Sequence, residues 1–465
     1  MLALLLTAAI VVDDRVSLRA APSETAPRQE LLHRGDWLEI RGARAGFLQV
    51  YDHRRERPGY IRPQFVRSYE LDEAHAPSLW AITDFLQETP GQESLGIAYA
   101  AMYLKASPSP QAAGPAVFDA IGNMADRLAA RASAKEAGPG DGVLAAHLEV
   151  AESYGVHFER FDDRGRTRVC YDGEALVRSL SNAAAPPLFH ARAALALTRP
   201  TCARPDRSPA QLLEWNEWRR GVLGHADPNQ VPAPIANRLH LRRAEVESRI
   251  AFLLARRAEA QRAAEAATES ERQLALVDKA ELDADDLGLY DETSLRVNAS
   301  RFAGEASRPD RPGRAIAVTT SPGKPGETCV RLVEKSGNAS RIAIERCTWG
   351  VVYPSAVRLG PRDEIATIAV QPLDGWRELW VFRKVGGAWS CEPLTPASVD
   401  PDLGTIDLSG FAPDGSRVLV TRAVRDGGGV KRSYQVLRAD TLTVEREAHS
   451  SPGILLAFRR WARAD

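Results

Sequence analysis

The stretch "FAPDGSRVLV", residues 411–420, decides how the last third of the chain is read. An aromatic residue runs into Pro413-Asp414-Gly415, and an apolar, β-branched run leaves it. Asp-Gly tolerates positive φ where two strands reverse, so the segment predicts a tight turn between strands. The pattern recurs. "RPGRAIAVTT" (311–320), "GPRDEIATIAV" (360–370) and "APDGSRVLVTRAV" (412–424) have their apolar centres near Ile316, Ile368 and Leu419. A polar loop follows each, then a second strand ("TCVRLVE", "WRELWVF", "RSYQVLR") and a third ("SRIAIERC", "AWSCEPL", "TLTVERE"). A strand is also predicted before each: "SLRVNASRF", "YPSAVRLG" and "TIDLSGF". Residues 295–465 therefore read as a β-rich domain of three recurring four-strand units.

The spacing of roughly 50 residues is that of propeller blades. The unit resembles a β-propeller blade, and the turn "FAPDGSR" resembles that of TolB-type blades. Three blades are fewer than the four to eight of a closed propeller, so the reading stays between an open meander stack, packing on the helical region and closure with another chain. The run "GILLAFRRW" (453–461) is a candidate last strand that pairs with the first unit and protects its edge.

Working outward, residues 77–290 turn helical. "SLWAITDFLQ" and "ESLGIAYAAMYLKA" place apolar residues three and four apart between breakers. Further helices are expected at 116–134, 142–155, 173–182, 187–198 and 208–223. One long helix starts near "PAPIANRL" and runs to about residue 276, Pro234 standing in its first turn. Its second half, nearly all Ala, Arg, Gln and Glu, is expected to project into solvent or meet a partner helix. The Arg and Glu interleaved in "RAEVESRIAFLLARRAEAQR" read as a solvated face. No clean 34-residue repeat supports a tetratricopeptide array.

Residues 11–68 are short alternating strands between turns. The opening Val16-Ser17-Leu18-Arg19-Ala20-Ala21-Pro22-Ser23, the strand entry Leu32-His33-Arg34-Gly35-Asp36-Trp37-Leu38-Glu39-Ile40, and the close Gly59-Tyr60-Ile61 through Phe65-Val66 carry a resemblance to the bacterial SH3 domain. It covers about one eighth of the chain. Phe47 stands where that family usually has Trp, and the charged loop "DHRRERP" (52–58) is longer than its usual turn. The resemblance implies a small β-barrel serving as a targeting module in envelope proteins, binding protein or peptidoglycan peptides. Trp37, Phe47, Tyr51 and Tyr60 are the candidate groove aromatics, with core filling the alternative for each.

Fold class is thus multidomain α+β: a small SH3-like barrel, a helical middle domain and a C-terminal domain of blade-like meanders. At 465 residues, about three domains of roughly 150 are expected. Net charge is −1, so no global field recruits nucleic acid. Only seven of the 60 basic residues are lysine, a bias read as GC-rich bacterial coding. No apolar run of membrane-spanning length occurs. Residues 1–10 within "MLALLLTAAIVVDDR" read as a shortened signal segment, cut after Ala9, or as the first strand of a domain.

None of the five cysteines forms a CxxC pair. Cys329 and Cys347 lie symmetrically about the turn at Gly337-Asn338, where an antiparallel hairpin would bring them face to face. Cys170 and Cys202 flank another compact stretch and are the second disulfide candidate, leaving Cys391. Oxidation would place the protein in the periplasm or another exported setting; five free thiols would place it in the cytoplasm.

Catalytic signals are weak. "VCYDGEALV" (169–177) offers Cys170 as a thiol opening a helix, but Tyr171-Asp172 replace the Ser-Gly of the cell-wall cysteine peptidases it resembles. "DADDLGLYDE" (283–292) fits a calcium loop only at Asp283, Asp285 and Gly288; Leu287 and Ser294 stand where ligands belong, so it reads as an acidic linker. "PGKPGET" has Pro where a phosphate loop needs an amide, and neither HExxH nor GxSxG occurs. The expectation is a non-catalytic binding or scaffold protein of a Gram-negative envelope, without cofactor or metal. The alternative is a cell-wall hydrolase of cysteine-peptidase type targeted by the barrel.

Overall fold

The computed structural model describes residues 7–134, 141–163, 165–306, 313–337, 339–397, 403–426, 429–449 and 453. They form a mixed α+β protein with helices and several antiparallel sheets, in two compact units. The first comprises residues up to 207 and 222–231, the second 208–221 and the rest.

The first unit opens with seven strands: β1 (Thr7–Val11), β2 (Val16–Arg19), β3 (Arg28–Leu32), β4 (Trp37–Arg44), β5 (Phe47–Asp52), β6 (Arg57–Ile61) and β7 (Val66–Glu70). Their order in one antiparallel sheet is β3-β2-β6-β5-β4-β1-β7. Period-two alternation sorts them. Ala9, Val11, Leu18, Leu38, Val50 and Ile61 share one core. Ala8, Ile10, Trp37 and Tyr69 face the opposite way, against helices. β1 is covered on both faces, and Ala8 to Val11 are fully buried. A strand buried on both sides reads as a continuous apolar run rather than an alternation. Of the two readings of residues 1–10, the strand describes 7–11; residues 1–6 lie outside the described residues.

Helices α1 (Ala76–Gln87), α2 (Glu93–Ala106), α3 (Pro110–Ala113), α4 (Pro115–Ala134) and α5 (Asp141–Ser153) follow, then the hairpin β8 (Phe158–Asp163) and β9 (Arg166–Tyr171), then α6 (Glu174–Ser181) and α7 (Pro187–Leu197). The hairpin is a departure from the all-helical expectation. β9 ends at Tyr171, so Cys170 closes a strand and does not open a helix. Met124, Leu128, Leu148 and Val169 build the helical core with Ile97.

The second unit takes most of α8 (Pro209–Gly224), then α9 (Ala233–Arg256), α10 (Ala260–Ala275) and α11 (Ala284–Ser300). The single long helix expected to residue 276 is a helical hairpin. The chain turns at Ala258, with φ +60°, and Glu259 N donates to Leu254 O at 3.0 Å. Ala263, Ala266, Ala267 and Ser270 are buried on α10, small side chains that let it lie close along α9. The partner helix for the alanine-rich half is therefore its own neighbour. α11 replaces both the acidic linker and the strand expected at "SLRVNASRF". Asp283 caps it, Oδ1 accepting from Asp286 N at 2.8 Å.

Among the described residues beyond 313, all regular structure of more than a turn is strand: β10 (Ile316–Pro322), β11 (Thr328–Ser336), β12 (Ala339–Thr348), β13 (Val351–Leu359), β14 (Ile365–Leu373), β15 (Trp376–Val385), β16 (Ala388–Leu394), β17 (Gly404–Phe411), β18 (Arg417–Asp426), β19 (Gly429–Arg438) and β20 (Val444–Ala448). The first repeat has three strands, its expected leading strand being α11. The second, β13 to β16, and the third, β17 to β20, are four-strand antiparallel meanders. A short parallel pairing, Trp376↔Gly404 and Arg377↔Thr405, joins them. The repeats pack in series. Trp380 and Phe382 of β15 meet Ile316, Val330 and Leu332 of the first repeat. Leu379 and Val381, on the other face of the same strand, meet Ile406, Val418 and Leu437 of the third. The run 453–461 lies outside the described residues except Gly453.

Both expected disulfides are formed. Cys329 and Cys347 are direct cross-strand partners with Cα atoms 3.9 Å apart, and Cys170 joins Cys202 at a Cα distance of 5.9 Å. Cys391 is free.

Candidate binding surface

Directly opposed residues of antiparallel strands share a face. Glu39↔Tyr51 and Tyr51↔Pro58 make one row across β4, β5 and β6, and Gln49↔Tyr60 makes the next. The charged loop after β5 returns His53 to this face. Its ring lies 5.1 Å from Trp37, tilted by 30°, and meets Tyr51 edge-on at 4.9 Å. The Arg41 guanidinium covers Tyr51 at 3.9 Å, a cation–π contact. Lys105 of α2 stands 5.2 Å from the Trp37 ring.

Charge is placed among these rings with little freedom. Glu39 Oε2 accepts from Arg41 Nη2 at 3.1 Å and contacts His53 Nε2 at 2.7 Å. The hydrogen bonds from Arg41 and His53 hold the Glu39 carboxyl below its ordinary range. The result is a half-exposed aromatic face, Trp37, Tyr51, His53 and Tyr60, with a fixed carboxylate and guanidinium at its centre.

Three of the four candidate aromatics, Trp37, Tyr51 and Tyr60, fall on this face. Phe47 does not contribute to it as an open ring: it is 3% exposed, with the Arg62 guanidinium 4.1 Å over it. His53 was missed, because it lies past the strand end in a loop whose basic residues dominate the reading. Its two-residue offset from Tyr51 was the available signal. The loop itself is anchored. Asp52 accepts from the Arg54 and Arg55 amides at 3.0 and 3.2 Å, and Arg55 Nη1 reaches Asp52 at 2.7 Å and Asp36 at 3.2 Å.

A second polar cluster joins this sheet to the helices of its unit. His147 Nε2 lies 2.8 Å from Asp14 Oδ1, and His33 Nδ1 lies 3.5 Å from the same oxygen. Burial would raise the Asp14 carboxyl, but the hydrogen bond and charge of His147, with Arg34, bring it down to about 2. Both histidines are buried. Among the described residues this cluster does not gather three ligand atoms within reach of one cation. The sets that do are the exposed Glu70, Asp72 and His75, and Glu327 beside the disulfide sulfurs of Cys329 and Cys347. In the partial calcium loop, Asp283 is occupied as a helix cap and Asp286 pairs with Arg238 at 2.9 Å. Cys170 has no thiol to ionise, since its sulfur is bonded to Cys202.

The chain matches no known family model, and no curated protein or solved structure is significantly similar to it. Two disulfides fit an exported protein. Among the described residues no helix is long and apolar enough to cross a membrane.

Proposed function

We propose that the protein is a non-catalytic binding protein of the bacterial envelope, working in the periplasm. Its N-terminal sheet acts as an SH3-like targeting module, and its C-terminal meanders act as blade-like scaffolding. The observation that carries the reading is the aromatic face of β4, β5 and β6, with His53 in ring contact with both Trp37 and Tyr51 beside the Glu39–Arg41 pair. Rigid aromatic rings supply contact area at low conformational cost, and the carboxylate–guanidinium pair offers donors and acceptors to a peptide lying across the strands. The occupant is a cell-wall peptide, whose amides and charged ends suit such a face. Serial packing of three β-repeats supports the blade-like reading of the second unit.

Co-sedimentation of the purified full chain with peptidoglycan sacculi tests this. Tyr51→Ala and His53→Ala should each reduce retention about tenfold, the loss of one good stacking contact of roughly 1.4 kcal/mol. Absence of retention, or turnover of the sacculi by the wild type, would overturn the proposal.

A further inference from the structure

The second unit holds a cavity of about 320 Å³ at the junction of its last two repeats. It arises from the repetition itself. The turn 360–365 between β13 and β14 and the turn 412–417 between β17 and β18 are equivalent. Gly360 N donates to Ile365 O at 2.8 Å in the first, and Ala412 N to Arg417 O at 3.0 Å in the second. Each carries a residue of positive φ, Asp363 at +52° and Gly415 at +70°. The turns stand side by side: a Cβ on Gly415 would be in ordinary contact with Arg362 and Pro361, 3.6 to 3.7 Å away. The ends of β15 and β19 complete the walls.

Nine of the thirteen lining residues are charged, and most of these charges are already matched. Asp414 accepts from Ser416 N and Oγ at 3.0 and 2.7 Å. Glu445 takes Arg417 Nε at 2.6 Å, and Asp440 takes Arg438 at 2.9 and 2.6 Å. Arg383 and Lys384 are paired outward, with Glu392 at 2.9 Å and Glu334 at 2.8 Å. Arg362 and Glu364 remain. They flank Asp363 in one turn and both line the cavity; neither is held in a hydrogen-bonded ion pair among the described residues, and the Arg362 charge acts on the Asp414 carboxylate across the rim. A ligand is selected by the groups it can complement, and here these are one cation and one anion on the same rim.

We propose that this cavity binds a small zwitterion of amino-acid or dipeptide size, its carboxylate on Arg362 and its ammonium on Glu364. The site is independent of the aromatic face of the first unit. Calorimetric titration of the full chain with alanylalanine tests it, beside N-acetyl-alanylalanine, alanylalanine amide and orthophosphate. The free dipeptide should bind, and capping either end should weaken binding at least tenfold. Arg362→Gln should remove the preference for a free carboxylate, and Glu364→Gln that for a free amine, while Arg362→Lys should retain most of the affinity. Both positions are exposed, so the variants should keep the wild-type circular dichroism. Absence of heat with alanylalanine at millimolar concentration, equal binding of a capped form, or orthophosphate binding as tightly as the dipeptide would each overturn the proposal.

Discussion

Replacing Gly35 with alanine attacks the seat of the N-terminal sheet on the helices of its own unit. Gly35 lies at φ +92°, and a Cβ there would fall 2.7 Å from the Ser94 carbonyl oxygen and 2.9 Å from Val150 Cγ1. The conformation alone costs alanine about 1–2 kcal/mol. The clash adds more, because its nearest atom is α2 main chain, which no rotamer change can move aside. The turn must retreat, and its bonds retreat with it. Ser94 Oγ donates to Arg34 O at 3.0 Å, Tyr154 Oη donates to Gly35 O at 2.6 Å, and His147 meets Asp14 at 2.8 Å. At about 1 kcal/mol each, losing two or three brings the total to about 3–5 kcal/mol, a large part of an ordinary stability of roughly 5–15 kcal/mol. Gly91 is the control. Its φ is +88°, yet nothing lies within 4 Å of a Cβ placed there. Gly91→Ala therefore carries the backbone cost alone. Urea titration of the full chain, with amide exchange followed in β1, α2 and α5, separates the two. Gly35→Ala should lower the midpoint at least twice as far as Gly91→Ala and strip protection from all three elements. Equal shifts, or protection kept in α2 and α5, would refute the reasoning.

Further outcomes follow from the cysteines and from a buried acid. The denatured, unreduced chain should titrate one thiol, Cys391, and five after reduction; a count of five without reductant would remove both cross-links. Cys170→Ser combined with Cys202→Ser should destabilise the first unit by about 3–4 kcal/mol, the loop-entropy value for the observed separation of 32 residues. In the folded protein Cys391 should react slowly, since burial pushes its thiol up to about 11. Asp119 is 2% exposed, and burial raises its carboxyl to about 6, the charge of Arg192 opposing this only in part. The folded state then binds the proton more tightly than the unfolded chain, so stability declines as pH rises from about 4 through 6. Asp119→Asn should raise the unfolding free energy from urea titration at pH 8, by up to about 3 kcal/mol, and leave it nearly unchanged at pH 4; a loss of stability at pH 8 would contradict this.

Elements whose signal is local were legible in the sequence. The Asp-Gly turn at 414–415, the strand "WRELWVF" and the symmetry of Cys329 and Cys347 all depend on neighbours in the chain. Where the reading failed, a distant contact decided. "ARRAEAQ" across 255–261 contains no glycine or proline, and only packing of the alanine stripe on α9 makes Ala258 accept positive φ. Leu295, Val297 and Ala299 alternate like a strand, yet all three are buried within α11. The strand β1 looked like a leader segment because both of its faces are covered. At the aromatic face, the aromatic residues of the SH3-like stretch gave four candidates, Trp37, Phe47, Tyr51 and Tyr60, of which Phe47 is buried, while His53 required the path of a loop. The Asp14–His147 contact joins residues 133 positions apart, beyond any pattern in one sequence.

The arginine excess carries structural meaning beyond coding bias. In α9 the interleaved Arg and Glu were expected to face solvent, but Glu245 and Glu247 are 5% and 7% exposed. Glu245 accepts from Arg219 at 2.9 Å and from Arg249 Nε at 2.8 Å. Arg249 Nη1 continues to Asp374 at 2.7 Å, where Arg296 also ends at 2.9 Å. Burial disfavours the Glu245 carboxylate, yet the charges of Arg219 and Arg249 overcome it and hold the group well below its ordinary range. A lysine ammonium is a compact charge; a guanidinium is a planar fork that can bridge two carboxylates at once. Arg249 does so, and the chain of pairs thereby ties α8, α9, α11 and the β14–β15 turn into one core of the second unit. Removing one partner from such a chain leaves a buried charge uncompensated. The same residues that mimic a solvated helix in the sequence therefore fix how helices and meanders meet within that unit.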